Sequence, residues 1–217
     1  MKVLSILCQK GGTAKTTLAL NLAVEAIANG LETVVIDLDP QVSASDWKDL
    51  RGESAPVVAA PPVPHLDRSL KAAADAGADL VIVDTAGRTN DAAAAAARVA
   101  DLIFMPMQPS LVDLKTLAAT MDIIKLSGGK PTRAILTRIK PTGSRHEETA
   151  AWLARQGVEV CPIGLGDRVA FQDAYALGQS VTETDPHGKA TDEIRQVYTY
   201  ACSLLGFNTR IQGYKHT

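Results

Sequence analysis

Cysteine is scarce in this 217-residue chain: Cys8, Cys161 and Cys202 form no C-x-x-C pair and have no metal-like spacing. That pattern excludes a disulfide framework and a cysteine-ligated cluster, so the three are expected to be buried thiols of a reducing compartment. The four histidines, His65, His146, His187 and His216, are scattered, which favours solvated or singly bonded side chains over a metal centre. No apolar run reaches the ~18 residues of a membrane span. No secretory leader pattern opens the chain, and a cytoplasmic protein is expected. A large excess of either charge is also missing, since the formal net charge is −2. Global attraction to nucleic acid is thereby excluded, and any DNA binding has to come from a local patch. With 46% hydrophobic residues, the chain suits one sizeable α/β domain and is short for two.

What is present is concentrated near the amino end. The apolar run Val3-Leu4-Ser5-Ile6-Leu7-Cys8 leads into Gln9-Lys10-Gly11-Gly12-Thr13-Ala14-Lys15-Thr16-Thr17, and a helical pattern from Thr16 to Asn29 leads out. This is a strand-to-helix turn, the place where a phosphate can be held. Two consecutive glycines let successive N–H groups point into one concavity, and the first helical turn adds unpaired donors and its positive dipole end. Lys15 can then lie along the β- and γ-phosphates while the Thr16 hydroxyl completes the shell of a magnesium ion. The strict phosphate-loop pattern G-x-x-x-x-G-K-[ST] is not met, because Gln9 and Ala14 occupy its glycine positions.

The deviant pattern K-G-G-x-x-K-[ST], with Lys10 at its head, resembles the ParA/MinD family of dimerising ATPases. The resemblance implies that Lys10 reaches across a nucleotide sandwich to the ATP of a partner subunit. It also implies that Gly11, Gly12, Thr13, Ala14, Lys15, Thr16 and Thr17 bind the nucleotide. Ala14 replaces the glycine commonest there and is expected to keep a negative φ.

The rest of the chain alternates strand and helix. Thr33 to Asp39 reads as a buried strand ending in Asp37-Leu38-Asp39-Pro40-Gln41, and a βαβ unit places its end at the same sheet edge as the phosphate loop. By resemblance Asp39 orients the attacking water, with Asp37 nearer the magnesium shell. Ser43 to Arg51 is expected as a helix, Val57-Val58-Ala59 as an edge strand in a proline-rich connection, and His65 to Ala76 as a helix. Asp79 to Asp84 has the form of a Walker B strand whose terminal carboxylate, Asp84, holds a water on magnesium. Asp84-Thr85-Ala86-Gly87 resembles the family's switch that senses the γ-phosphate. The alanine-rich segment from Asp91 to Ala97 is expected as a tightly packed or dimer-facing helix. A strand from Leu102 to Pro106 follows, and then a helix with Leu111, Leu114, Leu117, Ala118, Met121 and Ile124 on a core stripe.

Arg133 to Arg138 is expected as a strand, at the place where the family recognises adenine, which implicates Thr137 and Arg138. A helix from Glu147 to Arg155 and a strand from Val158 to Pro162 come next. The stretch Arg168-x-x-Phe171-x-x-Ala174-x-x-x-Gly178 resembles a family segment that closes over the base. The last helix, Ala190 to Leu205, is expected to pack on the sheet through Ile194, Val197, Tyr198, Ala201, Leu204 and Leu205. Lys125, Lys130, Arg133, Arg138, Lys140 and Arg145 fall in one stretch with no acidic residue. They form either a non-specific DNA surface or an ordinary solvated corner.

The expected architecture is a doubly wound, mostly parallel α/β sheet of about seven or eight strands with helices on both faces. Residues 1–207 are expected as one ATPase domain and 208–217 as a short tail. The resemblance is closest to small ParA partition ATPases without an amino-terminal DNA-reading domain, since the stretch before Lys15 leaves no room for one. It implies an ATP- and Mg2+-dependent homodimer with slow, partner-stimulated hydrolysis. The implied partners are non-specific DNA and a ParB-like centromere-binding or adaptor protein, with nucleoid association and no stable membrane attachment. Four alternatives stay open. A MinD-like membrane switch would need a basic amphipathic terminal helix, and a nitrogenase-iron-protein relative would need paired cluster cysteines. A biosynthetic ligase of the cobyrinate or dethiobiotin type would normally lack Lys10, whereas a ParA-like conjugative DNA-transfer factor would share every motif.

Overall fold

The computed structural model describes residues 1–87, 90–109 and 114–208. Ser110, Leu111 and the tail 209–217 lie outside the described residues.

The chain opens with β1 (Lys2–Ile6), α1 (Lys15–Ala28), β2 (Thr33–Asp37), α2 (Ser43–Arg51) and β3 (Val57–Ala59). It continues through α3 (Leu66–Asp75), β4 (Leu80–Asp84), α4 (Asn90–Val99), β5 (Leu102–Met107), α5 (Leu114–Leu126), β6 (Thr132–Leu136) and α6 (Arg145–Arg155). Three further helices close it: α7 (Ala170–Ala176), α8 (Val181–Thr184) and α9 (Lys189–Leu205). The strands form one parallel sheet in the order β3-β2-β4-β1-β5-β6. Their alternation of residues explains why it must be covered twice. In β4, Leu80 and Ile82 face α1 and α9, whereas Val81 and Val83 face α3 and α4. A strand apolar at every position is stable only with helices on both faces.

The expected doubly wound fold is present, with six strands rather than seven or eight among the described residues. The segment expected as a strand from Val158 to Pro162 makes only the isolated bridge Ala134↔Val160. Its backbone nevertheless covers the β6 edge, where Ala134 N donates to Glu159 O (2.9 Å) and Cys161 N donates to Ala134 O (2.8 Å). The ladder then breaks off: continued parallel pairing would use Ile163 N, but the next donor to β6 is Leu165 N, which bonds Leu136 O at 2.8 Å.

Small side chains bring α4 close to the sheet. Ala92, Ala93, Ala95, Ala96 and Ala97 are buried, and the Ser5 hydroxyl of β1 donates to Ala96 O at 2.8 Å. On α5, Leu117 and Ile124 are buried and Met121 is partly so, but Ala118 is exposed. α9 packs through Ile194, Val197, Tyr198, Ala201 and Leu205, while Leu204, expected on the same side, is 38% exposed. All three cysteines are buried free thiols. No helix among the described residues is long and apolar enough to cross a membrane.

Candidate functional site

Parallel pairing puts the carboxyl ends of β1, β2 and β4 at one level, with Asp84 in register with both Ile6 and Asp37. The loop after β1 curls over that edge into α1. Gly11, Gly12, Thr13, Ala14, Lys15, Thr16 and Thr17 line an open cavity of about 640 Å³, together with Asp39, Pro40, Gln41, Ser43, Ala86, Gly87 and Arg138. Gly11 to Thr17, expected to bind the nucleotide, thus meet at one cavity, whereas Lys10 is not among its lining residues.

The loop's own bonds divide its two lysines. Lys15 is buried, and its ammonium donates to Lys10 O at 3.0 Å. The Lys10 ammonium has no hydrogen-bond or ion-pair partner among the described residues. The loop is braced from behind: the Gln108 amide donates to Gly12 O (2.8 Å) and the Thr137 hydroxyl to Thr13 O (3.1 Å). Gly87 approaches so closely that a Cβ there would lie 2.8 Å from Gly11 N. Ala14 does not keep a negative φ. It caps α1 in the left-handed conformation at φ 67° and ψ 32°, because the turn demands that geometry of whatever residue stands there.

Three carboxylates face this loop. Asp84 Oδ2 accepts from the Thr16 hydroxyl at 2.6 Å, and Oδ1 is buried without a partner. Burial pushes Asp84 up to about 7; the Thr16 hydrogen bond opposes that shift, and the neighbouring Asp37 adds to it. Asp37 is likewise raised by burial, although it accepts from Asp39 N (2.9 Å) and Ala44 N (3.0 Å). Asp39 is partly exposed beside the cavity and accepts from Gln41 N at 2.9 Å. A buried carboxylate with an orphaned oxygen beside a threonine hydroxyl is a donor set suited to a hard divalent cation and its waters.

A second cavity of about 200 Å³ adjoins the first, sharing Ala14, Thr17 and Arg138. Thr137, Leu165, Arg168, Phe171, Gln172 and Tyr175 complete its wall, so the segment expected to close over a base stands beside the phosphate loop. Arg168 is held by Glu193, with Nε 3.1 Å from the carboxylate. Gln108, Glu193 and Tyr175 were not legible as site residues, because each acts through a contact distant in sequence. Gly87 lay within the expected switch, but its approach to the loop left no trace in sequence.

The six basic residues are not brought together. Arg138, Lys140 and Arg145 are exposed on the carboxyl side of β6, whereas Lys125 and Lys130 precede that strand, at its amino end. Arg133 is tied between them, bonded to the Tyr200 hydroxyl (3.0 Å) and paired with Glu159 (2.8 Å).

Comparisons with known proteins agree with this geometry. Maintenance of carboxysome distribution protein A of Gloeobacter kilaueensis is 38% identical over 186 residues, covering 84% of each chain. Protein ParA of Rhizobium radiobacter is 28% identical over 187 residues, 82% of this chain and 84% of its own length. In three dimensions the chain resembles Cyanothece McdA in its ATP complex, with a TM-score of 0.72, 17% identity and 98% and 99% of the two chains covered. Residues 4–181 match the CobQ/CobB/MinD/ParA nucleotide-binding domain, and the chain belongs to that family.

Proposed function

We propose that the protein is an ATP-dependent dimerising switch that positions DNA or another cargo through ATP-gated, non-specific DNA binding. The observation that carries this reading is the division of labour on the phosphate loop. Lys15 is sequestered within its own loop, whereas Lys10, five residues earlier, has no partner among the described residues. A lysine so placed is available to a nucleotide held by a second subunit. The relative named for carboxysome distribution and the ParA relative support a positioning role, and residues 1–207 are read as one such domain.

In this reading the amides of Gly11 to Thr17 and the α1 dipole hold the phosphates, and Lys15 turns from Lys10 O to the β- and γ-oxygens. Thr16 and Asp84 would hold magnesium and its waters, with Asp37 behind them, and the bound ion would supply positive charge to offset that of the phosphates. Asp39 orients the attacking water. Arg138 flanks the nucleotide, and Thr137 braces the loop. Hydrolysis is slow and is stimulated by an adaptor of the ParB type.

Of the basic residues, the exposed Lys140 and Arg145 support the DNA reading, and pairing two subunits would double the phosphates they neutralise. Affinity for random duplex DNA should appear with ATP and vanish with ADP. It should fall with salt at a log–log slope of about −0.9 per phosphate contacted. Parallel binding to random DNA and to anionic liposomes tests the reading. ATP-dependent liposome binding without DNA binding would favour a membrane switch, and binding to neither would favour a metabolic enzyme.

A further inference from the structure

The loop that carries Asp37 and Asp39 leaves β2 where Leu38 N donates to Asp84 O (2.9 Å), and beyond Leu38 one hydrogen bond among the described residues holds it from outside itself. Val42 follows it at φ 49°, a left-handed conformation that a β-branched residue adopts only when its surroundings impose it. Most hydrogen bonds on this stretch are local: Asp39 N to Asp37, Gln41 N to Asp39, Val42 N to Asp39 O and Ala44 N to Asp37. Among the described residues, one hydrogen bond reaches residues 39–46 from a distant part of the chain. The Tyr175 hydroxyl donates to Ser43 O at 2.8 Å.

Tyr175 lies on α7 and lines the smaller cavity, while Ser43 lines the larger. The junction is stiffened further along α2. Trp47 Nε1 donates to Gln179 O (3.2 Å), and Arg51 donates to Gly178 O (3.1 Å) while forking onto Glu183. A Cβ at Gly178 would strike the Arg51 backbone, so α2 and the end of α7 meet backbone to backbone. A displacement of α7 is therefore carried into the start of α2, one residue beyond the strained Val42.

We infer that Tyr175 is a positioning residue that couples occupancy of the smaller cavity to the conformation of the Asp37–Asp39 loop. A base seated against α7 fixes Tyr175, Tyr175 fixes the Ser43 carbonyl, and the loop is thereby held in its strained geometry at the phosphates. This rests on the nucleotide reading above and adds to it a mechanical link between the two ends of the ligand.

The test compares ligands with and without a base. Amide exchange is measured at saturating ADP and at saturating pyrophosphate, in the native chain and in Tyr175→Phe, which keeps the ring and removes the hydroxyl. In the native chain ADP should slow exchange in residues 41–46 about fivefold more than pyrophosphate does, the effect of one net hydrogen bond. In Tyr175→Phe the two ligands should protect these residues equally, with protection of residues 11–17 unchanged. Hydrolysis should follow the same logic, with the kcat advantage of ATP over tripolyphosphate shrinking in Tyr175→Phe while the KM for ATP stays within about twofold. An ADP advantage that persists in Tyr175→Phe, or one absent from the native chain, would overturn the coupling. Loss of protection at residues 11–17 with both ligands would instead remove the nucleotide reading, and the coupling with it.

Discussion

Ala14→Gly should make the protein more stable, although glycine inside a helix usually costs stability relative to alanine. Ala14 holds φ 67°, where the Cβ of an L-residue crowds the following carbonyl at a cost of about 1–2 kcal/mol. Glycine removes that strain, and it is also a better residue than alanine at an N-cap. Opposing this, the unfolded chain gains freedom worth about 0.4–1 kcal/mol. The net is a stabilisation of about 0.5–1 kcal/mol, or a rise in melting temperature of roughly 1–4 °C for a chain of this size. Urea unfolding should show a higher midpoint with an unchanged slope. Nucleotide affinity should stay within about twofold, because the backbone keeps its conformation. A lower midpoint would refute the reasoning, since it would mean that the left-handed turn carries no strain at Ala14.

Two further substitutions probe the site and its frame. Gly87→Ala places a methyl 2.8 Å from Gly11 N and must push the phosphate loop aside, so affinity for ADP should drop by about tenfold or more in calorimetry while the fold persists. Glu183→Gln tests the clamp on α2. Burial raises the Glu183 carboxyl, but the Arg51 guanidinium and Ser180 N–H more than offset this, and it lies below its ordinary value. A depressed carboxylate stabilises the fold above its unfolded pKa, and that contribution is lost as pH falls through the folded value. Glu183→Gln should therefore cost about 1 kcal/mol at pH 7, a charge-assisted hydrogen bond discounted for partial exposure. The difference should shrink as pH falls through the carboxyl's lowered folded value.

The parts legible in sequence are those that neighbouring residues determine. Strand, glycine pair, lysine, threonine and helix follow one another without interruption, so the phosphate loop could be placed from order alone. Parallel topology then put Asp37 and Asp84 beside it. What escaped depends on contacts between distant residues. The φ of Ala14 is a matter of about 1 kcal/mol, which the surrounding turn overrides. The run of basic residues looked continuous, but it spans a strand of five residues whose two ends lie on the order of 13 Å apart. The expected seventh strand makes only an isolated bridge to β6, and its apolar alternation gave no sign of that. Tyr175 and Ser43 are 132 positions apart, and their contact follows only from the way α7 closes against α2.

The most direct measurement is sedimentation velocity of the native chain and of Lys10→Ala, each with ATP and with ADP. The Lys10 ammonium is without a partner among the described residues, whereas Lys15 bonds within its own loop, to Lys10 O, and is proposed to hold the phosphates of its own subunit. The native chain should therefore dimerise with ATP and stay monomeric with ADP, and Lys10→Ala should bind nucleotide with near-native affinity yet remain monomeric with both. An ATP-bound dimer of Lys10→Ala indistinguishable from the native one would contradict the account.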